Sequence, residues 1–254
     1  MTKVEKFRDE LLGKEFETNN CGKCFVIDYK NHAHVTVMFY EPICVVKCYM
    51  QNLRKGQVSN PFYATVYGKG YLGRGKYSNK DIKLYDLWVG MLRRCYSKSF
   101  HKKQPTYKDT TICEDWWDFQ NFAEWCEGQS NYNFKDAFGK SYQLDKDILV
   151  KGNKHYSPET CCFVPQEINT LLTLRGNKRG NLPLGVMQRR SDGKYIASAN
   201  GFNYLGTFNK REDAFQAYKT FKEFRIKSIA EEWKDRIDAK VYEALLAWEI
   251  CIDD

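Results

Sequence analysis

The sequence contains few histidines, no long apolar run and no leader-like N-terminus. Only four of its 254 residues are histidine, and they form no His-x3-His or Cys-x2-Cys…His pattern, which excludes the helix of a zinc hydrolase. The longest apolar runs, such as 35–40, are too short to cross a bilayer. The N-terminus carries acidic residues and lacks an apolar h-region, so we expect no secretory signal, no membrane partner and a cytoplasmic location.

Cysteine, by contrast, is plentiful, with ten residues. Because no secretory signal is expected, these thiols indicate a reducing compartment rather than a disulfide framework. Two cysteine pairs, Cys21 with Cys24 and Cys44 with Cys48, have a spacing that matches a zinc site only in part. The second pair lies inside an apolar strand pattern, where cysteine behaves as a small hydrophobe, so packing in a core is favoured over zinc binding.

The charge of the chain is unevenly distributed. Hydrophobic residues make up 43% of the chain and charged residues 28%, which indicates a folded protein with a buried core. Residues 54–110 contain 13 basic and 3 acidic residues, and 174–211 contain 8 and 1, whereas the intervening 111–173 contain 5 and 10. Lysine and arginine neutralise phosphates, and nearby glycines let backbone N–H groups approach them. One such block would be a solvated surface, but two blocks around an acidic segment favour nucleic-acid binding.

Hydrophobic periodicity predicts an α+β fold with several small domains. Helical spacing of apolar residues occurs at 1–12, 81–97, 114–127, 210–232 and about 238–250, and β-rich runs occur at 14–49 and 184–208. The first β region predicts a three-stranded meander, and Ser157 before Pro158 is typical of a helix start. The predicted division is a small β module at 1–53, a basic linker or arm at 54–80, a central domain at 81–173, and a three-stranded sheet with C-terminal helices at 181–254.

The central domain carries a set of spaced residues that covers about 85–170. The set includes Trp88, Met91, Arg94, Cys95, Ile112, Cys113, Trp116, Phe119, Phe122, Leu144, Asp145, Asn153, Tyr156, Ser157, Pro158, Glu159, Cys161 and Asn169. It resembles one branch of the HNH-type homing endonucleases of bacteriophages. The resemblance implies a ββα-metal core, action on double-stranded DNA, and a location in the cytoplasm of a phage-infected bacterial host.

The resemblance also implies site residues. Asp145 or Asp147 would be the carboxylate at a strand end and Asn169 the helix ligand, together holding Mg²⁺ if the protein is catalytic, and His155 is the nearest imidazole in the sequence. The family's Asp-His or His-His pair is replaced here by Asp145 and Lys146. A lysine ammonium is a poor general base near neutral pH. The alternative is therefore a relative without catalytic activity.

Residues 184–224 carry a second motif set. It includes Gly185, Val186, Gly193, Lys194, Tyr195, Ala197, Tyr204, Leu205, Gly206, Thr207, Phe208, Glu212, Ala214, Ala217 and Tyr218. This set resembles the DNA-binding domain of the plant Apetala and ethylene-response-factor type, in which one face of a three-stranded sheet enters the major groove. By motif position the base readers would be Met187, Arg189, Ser198, Asn200 and Tyr204, with Arg190 and Lys194 on phosphates.

We therefore expect a sequence-specific protein that binds double-stranded DNA and is built like an HNH homing endonuclease. Two other functions stay open, a transcriptional repressor that occupies an operator without cutting it, and a protein-interaction inhibitor that uses the N-terminal β module. The predicted backbone contacts in the first basic block are Arg74, Lys76, Arg93, Arg94, Lys102 and Lys103.

Overall fold

The chain adopts an α+β fold with two compact units in the computed structural model. The structure describes residues 3–172, 182–199 and 203–254. The first unit spans Met1–Gly128 and the second Gln129–Asp254. This boundary falls inside 81–173, the range expected to form one domain, and the predicted four-part division stays a prediction. Over the three described ranges, no helix is both long enough and apolar enough to cross a membrane.

The first unit begins with a helix and a four-stranded antiparallel sheet in the order β1-β2-β3-β4. Its elements are α1 (Lys3–Leu11), β1 (Glu15–Glu17), β2 (Lys23–Asn31), β3 (His34–Phe39), β4 (Cys44–Cys48), α2 (Met50–Arg54), α3 (Ile82–Tyr96), α4 (Lys98–Lys103), β5 (Thr111–Ile112) and α5 (Phe119–Gly128). The meander has one strand more than predicted, because β1 is only three residues long and its alternation is too short to predict a strand. In β3, Val35, Val37 and Phe39 alternate inward and form the middle of the core.

The segment expected to be a linker or arm is packed against the helices of the first unit. A Cβ on Gly70 would lie 2.7 Å from the Trp88 ring, and one on Gly73 would lie 2.1 Å from Asp118 Oδ1. The Gln120 side chain adds hydrogen bonds to the carbonyls of Leu72 (2.7 Å) and Tyr77 (2.9 Å). The glycines here therefore allow close approach to α3 and α5 instead of marking a loose chain.

The second unit contains two small antiparallel sheets and a long helix. Its elements are β6 (Gln143–Asp145), β7 (His155–Tyr156), β8 (Cys162–Val164), α6 (Gln166–Leu171), β9 (Val186–Gln188), β10 (Tyr195–Ala199), β11 (Asn203–Phe208), α7 (Arg211–Trp233) and α8 (Ala239–Leu246). β6 pairs with β8, and α6 follows and contacts β6. The helix predicted at Pro158 is wrong, because Ser157 accepts from Thr160 and Cys161 in a single turn before the chain enters β8.

The C-terminal sheet has the order β11-β10-β9, and α7 packs on one of its faces. Ala214, Phe215 and Tyr218 of α7 are buried on the sheet. The approach is close, since a Cβ on Gly185 would lie 2.0 Å from the Tyr218 ring. The predicted three strands and long helix of this region are confirmed in element type and order.

We expect Gly185→Ala to destabilise the second unit much more than Gly193→Ala. Both glycines have a left-handed backbone (φ +70° and +71°), but a Cβ on Gly193 meets nothing within 4 Å. The Gly193 variant should lose about 1 kcal/mol through backbone strain, and the Gly185 variant about 1–3 kcal/mol more through overpacking. Urea unfolding of both variants measures the difference. Equal losses would contradict close packing of α7 on the sheet.

Candidate functional site

The C-terminal sheet has one open face. Val186, Ala197 and Ala199 are buried on the α7 side. Because side chains alternate along a strand, Met187 and Ser198 point to the opposite side, and the register pairs Ser198 with Tyr204. Met187 is 56% exposed and Tyr204 66% exposed. The predicted readers in the described strands therefore share the face that α7 leaves uncovered.

Arg189 continues this face just beyond the end of β9. Its Nε donates to Asp192 Oδ1 at 2.8 Å and its Nη2 donates to Asp192 Oδ2 at 2.5 Å. The hydrogen bond from Arg189 lowers the pKa of Asp192 to about 2. The hydrogen bonds to Asp192 raise the pKa of Arg189, and the Tyr204 phenol contributes a smaller electrostatic effect. Both side chains are therefore charged at neutral pH.

The other predicted contacts of this module lie around the turn between β9 and β10 or on the sheet. Arg190 and Lys194 are exposed in the turn, where cations are accessible to phosphates. The Tyr204 hydroxyl lies 2.9 Å from Thr207 Oγ1. Asn200 lies outside the described residues.

Two predicted backbone contacts of the first unit, Arg74 and Lys76, are exposed side chains that have partners within the protein. Arg74 Nη2 donates to the Val45 carbonyl and lies 3.2 Å from Cys44 Sγ. Lys76 Nζ donates to Glu127 Oε2 at 2.7 Å, and this hydrogen bond is the main reason that the pKa of Lys76 is raised. These acceptors could not be predicted from the sequence, because Val45 is 29 positions from Arg74 and Glu127 is 51 positions from Lys76.

The remaining cations of that block are on α3 and α4. Arg93 is exposed, and its guanidinium carbon lies 5.3 Å from the centre of the Phe100 ring. Arg94 is half-buried, and His101 Nε2 donates to its carbonyl at 2.8 Å. Lys102 and Lys103 are exposed at the end of α4. No described ion pair includes Lys102 or Lys103, so this helix end presents two predicted cations to solvent.

The structure also presents an aromatic and basic turn that the sequence reasoning missed. Tyr67 and Gly68 have positive φ angles of 52° and 70°, and Lys69 N donates to the Val66 carbonyl at 3.1 Å, as in a type I′ turn. Lys69 Nζ lies 4.2 Å from the centre of the Trp117 ring. The Tyr67-Gly68 pair was the feature of the sequence that could have predicted this turn, but tyrosine is uncommon at a position with a left-handed backbone.

The predicted strand carboxylate Asp145 serves as a structural cap. Its Oδ1 accepts from the backbone N–H groups of Asp147 (2.8 Å) and Ile148 (2.9 Å), and the residue is 9% exposed. Burial, followed by the nearby Asp147 charge, raises the pKa of the Asp145 carboxyl to about 6. The turn after β6 therefore depends on this side chain.

The other three predicted catalytic residues lie around the same segment. Asn169 of α6 donates through Nδ2 to Gln143 Oε1 at 2.6 Å, and Gln143 lies two residues before Asp145 on the same side of β6. Asp147 is beside the Lys146 ammonium, 3.0 Å away. His155 is exposed in β7, and its carbonyl accepts from Asn153 Nδ2 at 2.7 Å. The structure thus brings Asn169 to the strand that carries Asp145.

The Mg²⁺ site predicted at Asp145 or Asp147 and Asn169 stays a prediction. Among the described residues there is no group of three His, Cys, Asp or Glu side chains that could hold a metal ion, but that set of residue types does not include the predicted asparagine ligand. Asp145 directs Oδ1 to two backbone donors. We derive no reaction step through a metal.

The N-terminal cysteine pairs lie in or beside the hydrophobic core of the first sheet. Cys21, Cys24 and Cys44 are buried in the core of the first sheet. Burial, with a smaller contribution from Cys48, raises the pKa of the Cys24 thiol to about 11. These side chains pack as hydrophobes.

Comparisons with models of protein families, with curated proteins and with solved structures gave no match for this chain.

We expect Asp145→Asn to stabilise the protein at pH 7–8. A carboxyl whose pKa rises from an unfolded value of about 3.9 to about 6 binds its proton more tightly in the folded state. Its contribution to stability is therefore present below about pH 4 and is lost as the pH rises to 6. Asparagine keeps the Oδ1 acceptor without the charge, so the variant should gain roughly 1–3 kcal/mol at pH 7.5.

Urea unfolding between pH 4 and 8 measures this gain, which should shrink as the pH falls from 6 to 4. Asp145→Ala is the control, because it leaves two backbone N–H groups without their acceptor and should destabilise by about 1–3 kcal/mol. A gain that is the same at every pH would contradict a raised pKa.

Proposed function

We propose that this protein binds double-stranded DNA in a sequence-specific manner and reads it with the open face of β9–β11. The observation that carries the proposal is the open face itself, which aligns Met187, Arg189, Ser198 and Tyr204 opposite the helix-covered side. Sheets of this size read base edges in the major groove of B-form DNA. The exposed Arg190 and Lys194 at its margin supply phosphate contacts.

The side chains on this face have the chemistry that base edges require. An arginine donates two hydrogen bonds to guanine O6 and N7, and a serine hydroxyl donates or accepts. Met187 offers an apolar contact for a thymine methyl group, and the exposed Tyr204 ring adds a large surface with a polar end. The base sequence recognised follows from this set and is not carried over from the plant domains, whose readers differ.

We further propose that the protein acts by occupying its site, as a repressor does, rather than by cutting it. Asp145 caps a turn, and Lys146 stands where the related nucleases have histidine. The second candidate is a Mg²⁺-dependent HNH endonuclease. The β6-β8-α6 order and the contact of Asn169 with Gln143 favour it, because a ββα-metal core has the same sequence of elements.

The first test is duplex selection from a random pool, followed by gel-shift measurements. Arg189→Ala should weaken binding to the selected duplex about 5- to 150-fold, as expected for one bidentate base contact. Lys240→Ala removes an exposed cation from α8 and should change affinity little. If both Arg189→Ala and Tyr204→Ala still discriminated between the selected duplex and others, the open face would not be the surface that reads bases.

Each duplex is also incubated with Mg²⁺. Site-specific strand breaks would support the endonuclease and contradict the repressor.

Replacing Lys102 and Lys103 by alanine should weaken binding to all duplexes alike. Each lost phosphate contact reduces the slope of log K against log salt by roughly 0.9. Lys76→Ala is the matched control, because its ammonium is already paired with Glu127, and its slope should stay near that of the unaltered protein. Titrations at several salt concentrations measure the slopes. An unchanged slope in the double variant would remove this helix end from the interface.

A further inference from the structure

We propose that Asp192 is a positioning residue that fixes Arg189 for base recognition and keeps it away from the DNA backbone. This inference rests on the proposed DNA-binding function. It concerns a side chain in the turn between β9 and β10, two strands of the open face.

The turn holds both partners in place. Arg189 N donates to the Lys194 carbonyl at 2.8 Å, and Gly193 N donates to the Arg189 carbonyl at 3.0 Å. Asp192 Oδ1 also accepts from Lys194 N at 3.2 Å. The carboxylate is therefore oriented by the backbone of the same turn that carries the guanidinium, and the two charged groups meet in the two-bond arrangement that gives such pairs their geometric specificity.

The pair leaves the outer end of the guanidinium available. Arginine has five N–H donors, and Asp192 takes one from Nε and one from Nη2. The donors that remain on Nη1 and Nη2 suit a base edge with two adjacent acceptors, which in the major groove is guanine with O6 and N7. Because the side chain is already ordered, less rotamer freedom is lost when the base is bound.

The negative charge of Asp192 has a second effect. A carboxylate beside Arg189 opposes the approach of a phosphate, so the arginine contributes little to binding DNA of arbitrary sequence. Such a residue increases discrimination more than total affinity. This effect separates a positioning role from a purely structural role in the turn.

The test compares Asp192→Asn with the unaltered protein on the selected duplex and on a duplex of random sequence. Asparagine keeps the acceptor for Lys194 N but loses the charged pair. We expect the ratio of the two affinities to fall about tenfold, with binding to the random duplex unchanged or tighter. Asp213→Asn is the matched control, because it removes an exposed charge from the first turn of α7. That variant should leave the ratio unchanged.

The double variant Asp192→Asn with Arg189→Ala decides whether the residue acts through the arginine. If it does, the Asp192 substitution has no further effect on the ratio once Arg189 is gone. A ratio that Asp192→Asn leaves intact, while Arg189→Ala lowers it, would overturn the positioning role and leave the proposed function standing. The positioning role would also be overturned if Asp192→Asn weakened binding to both duplexes equally and lowered the unfolding temperature. If the unaltered protein bound no duplex, the positioning role and the proposed function would both be overturned.

Discussion

The packing of α7 against one face of the C-terminal sheet is the constraint on which the proposed DNA interface depends. Small residues make the contact possible, because Ala197 and Ala199 are buried below the helix and Gly185 admits the Tyr218 ring. Once that side is filled, every second side chain of β9–β11 must face away from the helix. The side chains on the open face are therefore held in place by the packing of α7 on the opposite face, and no further element is needed to position them.

In the first unit, some of the basic residues already have partners within the protein. The block 54–110 holds 13 basic residues, but Arg74 and Lys76 are engaged by groups of the protein itself. Charge counted along a chain therefore overstates the charge offered to a polyanion. The exposed lysines at the end of α4 are the stronger basis for a phosphate contact, because a paired cation must break its pair before it can bind.

Regular periodicity made much of the fold predictable. Residues 82–96 of α3 bury Leu84, Trp88, Met91 and Cys95 at helical spacing, and the last two helices and three strands were also predicted in type and order. The packing of the glycine-rich 54–80 segment was not predictable, because glycine occurs both in loose chain and at close approaches, and only the partner surface distinguishes the two. The turn at Pro158 was misread as a helix because a cap signal specifies only the first turn.

The candidate site was predictable only in part. The resemblance to the plant DNA-binding domain predicted Met187, Ser198 and Tyr204 as readers by motif position, and in the structure these side chains share the open face. The cap made by Asp145 was not predictable from its motif, because an aspartate before a turn and an aspartate at a metal have the same neighbours in sequence. Burial and the direction of two backbone N–H groups, which are tertiary properties, separate the two roles.

The division of the C-terminal strands into covered and open positions also bears on how such a protein can diverge. Substitutions at Met187 or Ser198 change the exposed surface without touching the residues below α7, whereas changes at Ala197 or Gly185 disturb the packing of the helix on the sheet. Surface chemistry and stability therefore depend on interleaved positions of the same strands. If the proposed function holds, such a domain can acquire new target sequences through changes at the exposed positions while its buried positions stay constant.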